Sequence, residues 1–286
     1  MNKDKYVFAQ MVEFLDNYKF LRIVKKYDGN KYVKHFTCWN QLLTLIFGQL
    51  CNRESLRDLI VALNAHQEKC YHLGVGKHVT RSNLAKANEN RDYRIFEDFA
   101  FYMISEARKN RINDIFKLNG NVYAFDSTTI DLCLKLFPWA NFRTHKGGIK
   151  IHTLYDVETQ VPAFIHITEA KINDVKAMDV IPYESGSFYV FDRAYNDYHR
   201  LYKIHMMDSF FVVRAKTNIK AKVLKWKRRL PKNIQSDCEI ELTGFYTQKS
   251  YPETIRLVRF WDEEDEREFI YLTNAKHIQA LQDAEL

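Results

Sequence analysis

No apolar run in this sequence reaches the roughly 18–20 residues that a membrane-spanning helix needs, and the stretch Gln41 to Leu50 is far too short. The start of the chain, Met1-Asn-Lys-Asp-Lys5, has no apolar core of the kind a secretory leader carries. Together these set the expectation of a cytosolic protein with no membrane partner. Glycine and proline are scarce, 9 and 5 residues in 286, while 46% of the chain is hydrophobic and 14% aromatic. That balance excludes a disordered chain and leaves a globular protein of one large domain or two smaller ones. The five cysteines (Cys38, Cys51, Cys70, Cys133 and Cys238) are an odd number with no paired spacing. They fit neither a zinc site nor a disulfide framework, so buried free thiols are expected. Internal repeats and low-complexity tracts are also missing.

What the chain does carry is positive charge, +7 at pH 7 with a pI near 9. An excess of this sign favours a polyanionic partner. Basic residues cluster at Lys25-Lys26, Lys31 to His35, Arg81 to Arg94, Arg108 to Arg111, Arg143 to Lys150 and Lys216 to Arg229; acidic ones cluster at Asp262 to Glu268. Several solvated faces on an ordinary basic protein would give the same counts.

Up to about residue 115 the chain reads as an all-α domain. Phe36 to Leu50 has helical spacing, and Ser55 caps a second helix running to Leu63. Gly74 and Gly76 break the pattern. Thr80 or Ser82 then caps a short basic helix that carries Arg81 and Lys86. A helix of this kind after a glycine turn can enter a DNA groove, or it can simply pack. Arg94 to Lys109 is a longer amphipathic helix with Ile95, Phe96, Phe99, Met103, Ile104 and Ala107 on its apolar side.

Residues 116–286 read differently. Strands are expected at Asn121 to Thr129, Gly148 to Asp156, Val161 to Thr168, Ser187 to Asp192 and Phe210 to Lys216. Helices are expected at Ile172 to Val180 and Asp197 to Met207. Three antiparallel strands followed by helix, strand, helix and strand is the order of a mixed α/β sheet. Past Ile219, Glu239 to Thr247, Thr254 to Phe260 and Glu268 to Thr273 read as strands of a small β insertion, about 220–273, separate from that sheet. Asn274 to Leu286 reads as the opening of one more helix.

Two aspartates stand out. Asp126 follows the apolar run Val122-Tyr-Ala-Phe, and Asp192 follows Phe188-Tyr-Val-Phe. A carboxylate at the end of a buried strand is a rigidly held hard-oxygen ligand, and two on adjacent strands suit Mg²⁺ or Mn²⁺. Such metals cut and join phosphodiesters. Each aspartate alone would read as a turn former or helix cap; the matching contexts favour metal. Arg193 and Tyr195, just beyond Asp192, are candidates for a phosphate contact and for stacking on a base. Lys150 and His152, after a basic loop, are candidates for the same DNA channel. A strand ending in Asp-x-Asp-x-Thr would instead mark a phosphotransferase of the haloacid dehalogenase type, but Thr128 occupies the place of its second acid.

These segments resemble the DDE transposases of bacterial insertion sequences, specifically the insertion-sequence 4 family. The resemblance rests on Ala124-Phe-Asp-Ser-Thr-Thr-Ile-Asp-Leu132, Phe137-Pro-Trp-Ala-Asn-Phe-Arg143, Gly148-Ile-Lys-Ile-His-Thr-Leu-Tyr-Asp156 and Val190-Phe-Asp-Arg-Ala-Tyr-Asn-Asp197. The segments Gln49 to Asp58 and Tyr71 to Gly76 look like the helical leader of the same group. It implies a ribonuclease-H-like catalytic domain with a β insertion, an all-α DNA-binding leader, and Mg²⁺-dependent cleavage and strand transfer. It also implies a homodimer on terminal inverted repeats and target DNA. Asp126 and Asp192 match the first and second catalytic acids. The third, a Glu inside Tyr-x-x-Arg-x-x-x-Glu on a late helix, has no match. Asp283 and Glu285 come too early, and Glu263, Glu264 and Glu266 fall in a hairpin tip. A C-terminally truncated, inactive transposase is the expectation, with a non-catalytic DNA-binding fragment as the alternative.

Overall fold

Helix caps organise the first hundred residues. The computed structural model describes residues 6–70, 74–75, 79–109, 118, 120–132, 141–143, 146–216 and 218–280, with the side chains of 132, 141–143 and 146 excepted. The chain divides into two compact units, Met1–Glu106 and Ala107–Leu286. In the first, the described helices are α1 (Val7–Met11), α2 (Asn17–Lys26), α3 (Cys38–Leu50), α4 (Leu56–Ala65), α5 (Gln67–Cys70), α6 (Arg81–Asn90) and α7 (Arg94–Lys109), the last three residues of α7 belonging to the second unit. Asp16, Thr37, Ser55 and Thr80 each accept from a backbone N–H three residues on. These bonds satisfy donors that the first helical turn leaves unpaired. Of the two caps weighed for α6, Thr80 takes the role. Leu43, Phe47, Leu59, Leu63 and Leu84 pack as one buried cluster. Phe20, Ile23, Cys38, Ile95 and Phe99 pack as another.

The second unit is built on one mixed sheet. Its strands are β1 (Val122–Leu132), β2 (Asn141–Arg143), β3 (Lys146–Asp156), β4 (Val161–Glu169), β5 (Phe188–Phe191), β6 (Phe210–Arg214), β7 (Ala221–Trp226), β8 (Ile234–Leu242), β9 (Ile255–Asp262) and β10 (Arg267–Thr273). They lie in the order β2-β3-β1-β5-β6-β10-β9-β8-β7, with β4 on the far side of β3. β3 runs antiparallel to both β1 and β4, whereas β5 and β6 run parallel to β1. Taken in chain order without the short β2, the strands from β4 to β6 have the ribonuclease-H arrangement 3-2-1-4-5. The strands are rich in β-branched and aromatic residues, which suit a pleated surface covered on its faces. Phe125, Tyr189, Phe191, Phe211 and Val213 form the centre of the core.

Four expectations are corrected. The strands after residue 219 do form, but they are not separate from the sheet. β10 pairs with β6 through Tyr271↔Arg214, Leu272↔Val213 and Thr273↔Val212. Val212 and Val213 are buried, and β6 without β10 would present an unpaired apolar edge. The strand expected at Glu239 to Thr247 ends at Leu242; beyond Gly244 the chain turns into helix α9 (Phe245–Ser250). The helix expected at Ile172 to Val180 is a 3₁₀ helix, Asp174–Val180, capped by Asn173. The helix expected from Asn274 onward does not start there: residues 274–279 run as irregular turns and bends, Ala280 is the first helical residue, and 281–286 lie outside the described residues.

Among the described cysteines none is in a disulfide, and Cys38, Cys70 and Cys238 are buried; Cys133 lies outside the described residues. Among the described residues no helix is long and apolar enough to cross a membrane.

Candidate active site

The register of β1 against β5 positions the two aspartates. The parallel ladder ends at Phe125↔Phe191. The next residue on each strand is Asp126 and Asp192, both exposed. β5 stops there and the chain turns into a 3₁₀ helix, Arg193–Tyr195. β1 continues to Leu132 with β3 as its remaining partner. The loss of one neighbour opens a notch in the sheet, and both carboxylates sit at its mouth.

Neither aspartate is used up as a helix cap. Asp192 occupies the N-cap position of the 3₁₀ turn, but its side chain makes no capping bond. Arg214, at the end of β6, brings Nη1 to 3.9 Å from Asp192 Oδ1. Asp126 Oδ1 accepts from the backbone N–H of Ser127 at 2.7 Å. Two exposed carboxylates on adjacent parallel strands fit a hard cation, because Mg²⁺ takes one or two protein carboxylates and fills its other positions with water and phosphate oxygens. Among the described residues no group of three or more acidic, His or Cys side chains is arranged to hold a metal ion.

Behind the notch lies a polar cluster. Successive side chains of a strand point to opposite faces, so Ser127 turns away from Asp126. Ser127 Oγ donates to Asp174 Oδ1 at 3.0 Å. Lys150 Nζ lies 3.0 Å from the same oxygen and donates to the Ile172 carbonyl at 2.8 Å. His152, opposite Ser127 on β3, is 0% exposed. Its Nε2 is 2.9 Å from Thr168 Oγ1 and its Nδ1 is 4.0 Å from Asp174 Oδ1. Burial holds the His152 pKa below its usual value, against the opposing pull of Asp174. The ring is therefore neutral near pH 7.

Three residues expected to touch DNA are thus internal. Lys150 (13% side-chain exposure) is an ion-pair partner. His152 is covered by β4 and the Asp174 turn. Tyr195 is 1% exposed, packed edge-on to Phe125 at 5.2 Å, and cannot stack on a base. Its hydroxyl faces Ser127 without completing a bond of good geometry, and burial pushes its pKa up to about 12. Arg193 is exposed beside Asp192, and Arg81 and Lys86 are exposed on α6. Glu263, Glu264 and Glu266 are exposed in the turn from β9 to β10, where Asp262 accepts from the backbone of Glu264 and Asp265. Asp283, Glu285 and the segment Phe137 to Ala140 lie outside the described residues, as do Tyr71 to Leu73.

The sequence reading missed Asp174 and Arg214. Asp174 follows the capping Asn173 and reads as an ordinary first-turn acid. Arg214 closes a Val-Val-Arg strand with nothing to set it apart.

The strand order and the acidic pair on its central parallel strands define a ribonuclease-H-like α/β protein. Residues 118–286 match the model of the transposase DDE domain, and the chain belongs to that family of insertion-sequence transposases. Residues 3–76 match a domain of unknown function, DUF4372. A Sinorhizobium fredii protein named as transposase y4zB is 34% identical over 146 residues, covering 51% of this chain and 40% of its own. A Geobacillus stearothermophilus protein named as the transposase of insertion sequence element IS5377 is 25% identical over 204 residues, covering 70% of this chain and 52% of its own. The chain spans about half the length of these curated relatives. Among solved structures, a piggyBac transposase synaptic complex with hairpin DNA aligns over 84% of this chain and 51% of its own, at 12% identity and a TM-score of 0.39.

Proposed function

We propose that this chain carries the metal-binding core of a transposase of the insertion-sequence 4 group, which cuts and joins DNA at the ends of its element. The observation that carries the reading is the pair of exposed carboxylates one residue past Phe125↔Phe191. Asp126 and Asp192 would hold a divalent ion, Mg²⁺ or Mn²⁺. Bound there, the ion would polarise the scissile phosphate and activate the attacking oxygen. Arg214 steadies Asp192 and Arg193 offers a guanidinium to the adjacent phosphate. Ser127, Lys150, His152 and Asp174 fix the strand from which Asp126 projects. Terminal inverted repeats and target DNA are the partners, engaged by a homodimer with Arg81 and Lys86 on the helical unit.

A second reading is favoured by one observation: among the described residues no third acid joins the pair. The chain then binds DNA without cleaving it, as an inhibitor of transposition. Calorimetric titration with Mn²⁺ and a nicking assay on an end-bearing duplex in Mg²⁺ distinguish the two. The catalytic reading expects Mn²⁺ binding that Asp126→Asn and Asp192→Asn each abolish, with nicking lost in parallel. Mn²⁺ binding that survives both substitutions would overturn the assignment of the pair. A shifted but uncut duplex would establish the inhibitory reading for this chain.

A further inference from the structure

A cavity of about 570 Å³ opens in the helical unit between the loop that follows α2 and the exposed face of α6. Its walls carry Lys31 and Lys34 from the loop, Lys86 from α6 and Arg91 at the end of that helix, against Asp28 and Asp92. Asp92 is engaged by Arg94, whose Nε is 3.0 Å from both carboxylate oxygens. The space that remains is basic and the size of a small-ligand pocket.

Tyr32 stands on the rim. It is 93% exposed and has a φ of +61°, with Asp28 at +51° four residues earlier. A bulky side chain rarely adopts this left-handed backbone, and such strain persists only where the surroundings enforce it. Here they do. Cys38 N–H donates to Asn30 Oδ1 at 2.8 Å, and the loop's far end is clamped by the Arg91 guanidinium, which donates to the carbonyls of Phe36 and Thr37. The loop is thus held in a conformation that presents an aromatic ring to solvent beside lysines, with Lys31 Nζ 5.7 Å from the ring centroid.

We infer that this cleft binds one unpaired nucleotide of a DNA strand, with its phosphate against Lys34 and Lys86 and its base stacked on Tyr32. Lysine supplies point charges suited to phosphate, and a free tyrosine face accepts any base. Within a duplex the base faces are covered by their neighbours, so a protruding ring selects an unpaired strand. The inference rests on the proposal that the chain binds DNA, and it adds the site and the strand form.

The test uses the whole chain and fluorescence anisotropy with a labelled 12-nucleotide single strand and the blunt duplex of the same sequence. Tyr32→Asn, which keeps a residue tolerant of left-handed backbone, is expected to weaken single-strand binding about ten-fold and duplex binding less than two-fold. Tyr32→Trp should restore the single-strand affinity. Lys34→Ala with Lys86→Ala should lower the slope of log K against log salt for the single strand by about 1.4, two phosphate contacts at roughly 0.7 each. Wild-type binding that none of these variants alters overturns the cleft while leaving DNA binding intact. Equal loss on strand and duplex with Tyr32→Asn overturns the choice of an unpaired base. No binding of either probe by the wild type would sink DNA binding itself, and the cleft with it.

Discussion

Lys150 is the residue on which sequence and structure disagree most usefully, because its two roles predict opposite results. As an internal strut it is held 3.0 Å from Asp174 with side-chain exposures of 13% and 30%. At that distance the gross attraction is about 5 kcal/mol for an effective dielectric of 20. Desolvation and side-chain ordering offset much of it. The pair sits between exposed pairs, which contribute up to about 1 kcal/mol, and buried pairs, whose disruption costs about 3–5 kcal/mol. A coupling of about 1–2 kcal/mol is therefore expected. Lys150→Met and Asp174→Asn should each destabilise by about 2–3 kcal/mol, and together by less than their sum. Urea denaturation followed through amide exchange of β1 and β3 reads this directly, without relying on a single transition for two units. DNA binding by Lys150→Met should keep the wild-type salt dependence. The reasoning fails if the variant unfolds like wild type while its salt slope falls by about 1, the mark of one lost phosphate contact.

Two further predictions probe buried polar groups. Burial alone would raise the Asp237 pKa, but Arg256, bonded to both carboxylate oxygens at 2.8 Å, and Lys227 hold it below the ordinary value. A depressed folded pKa contributes stability that is fully present above the unfolded value near 4 and is lost as pH falls through the folded one. Asp237→Asn should cost about 3–5 kcal/mol at pH 7 and flatten the decline in stability below pH 4; a variant whose acid limb matches wild type would contradict this. Tyr195→Phe removes a hydroxyl that completes no good hydrogen bond and should cost under about 1 kcal/mol, whereas Tyr195→Ala should cost about 3–5 kcal/mol by cavity formation. Loss of DNA affinity in a fully stable Tyr195→Ala chain would restore the stacking role.

Much of the sheet was readable because period-2 alternation and β-branched or aromatic residues coincide in β1, β3, β4, β5 and β6. β7 was missed because Lys222 and Lys225 interrupt its apolar positions and the stretch reads as a charge run. The membership of β8 to β10 in the main sheet depends on which edge of β6 is free, a property of pairing that no local pattern encodes. The placement of Asp126 and Asp192 at the ends of adjacent strands was legible because their context repeats. Their supports were not: Ser127 and Asp174 are 47 residues apart in sequence, and only the turn after β4 brings them together. Lys150, His152 and Tyr195 were read by residue type, yet type does not say which side of a strand a neighbour covers.

That distinction also explains how one segment serves both stability and chemistry. Along β1 the side chains alternate between faces, so consecutive residues have different environments at no cost in backbone regularity. Phe125 enters the aromatic core against Phe191 and Tyr195, Asp126 opens to solvent, and Ser127 ties back to Asp174. The exposed carboxylate is therefore flanked on both sides by residues whose positions are fixed. A metal ligand must be held to within about 0.5 Å to be useful, and an exposed aspartate has no packing of its own to supply that. Its neighbours supply it. Asp192 follows the same logic, with Phe191 buried before it and Tyr195 buried three residues beyond. Substitutions at Ser127 or Asp174 should thus shift the proposed site without touching either aspartate.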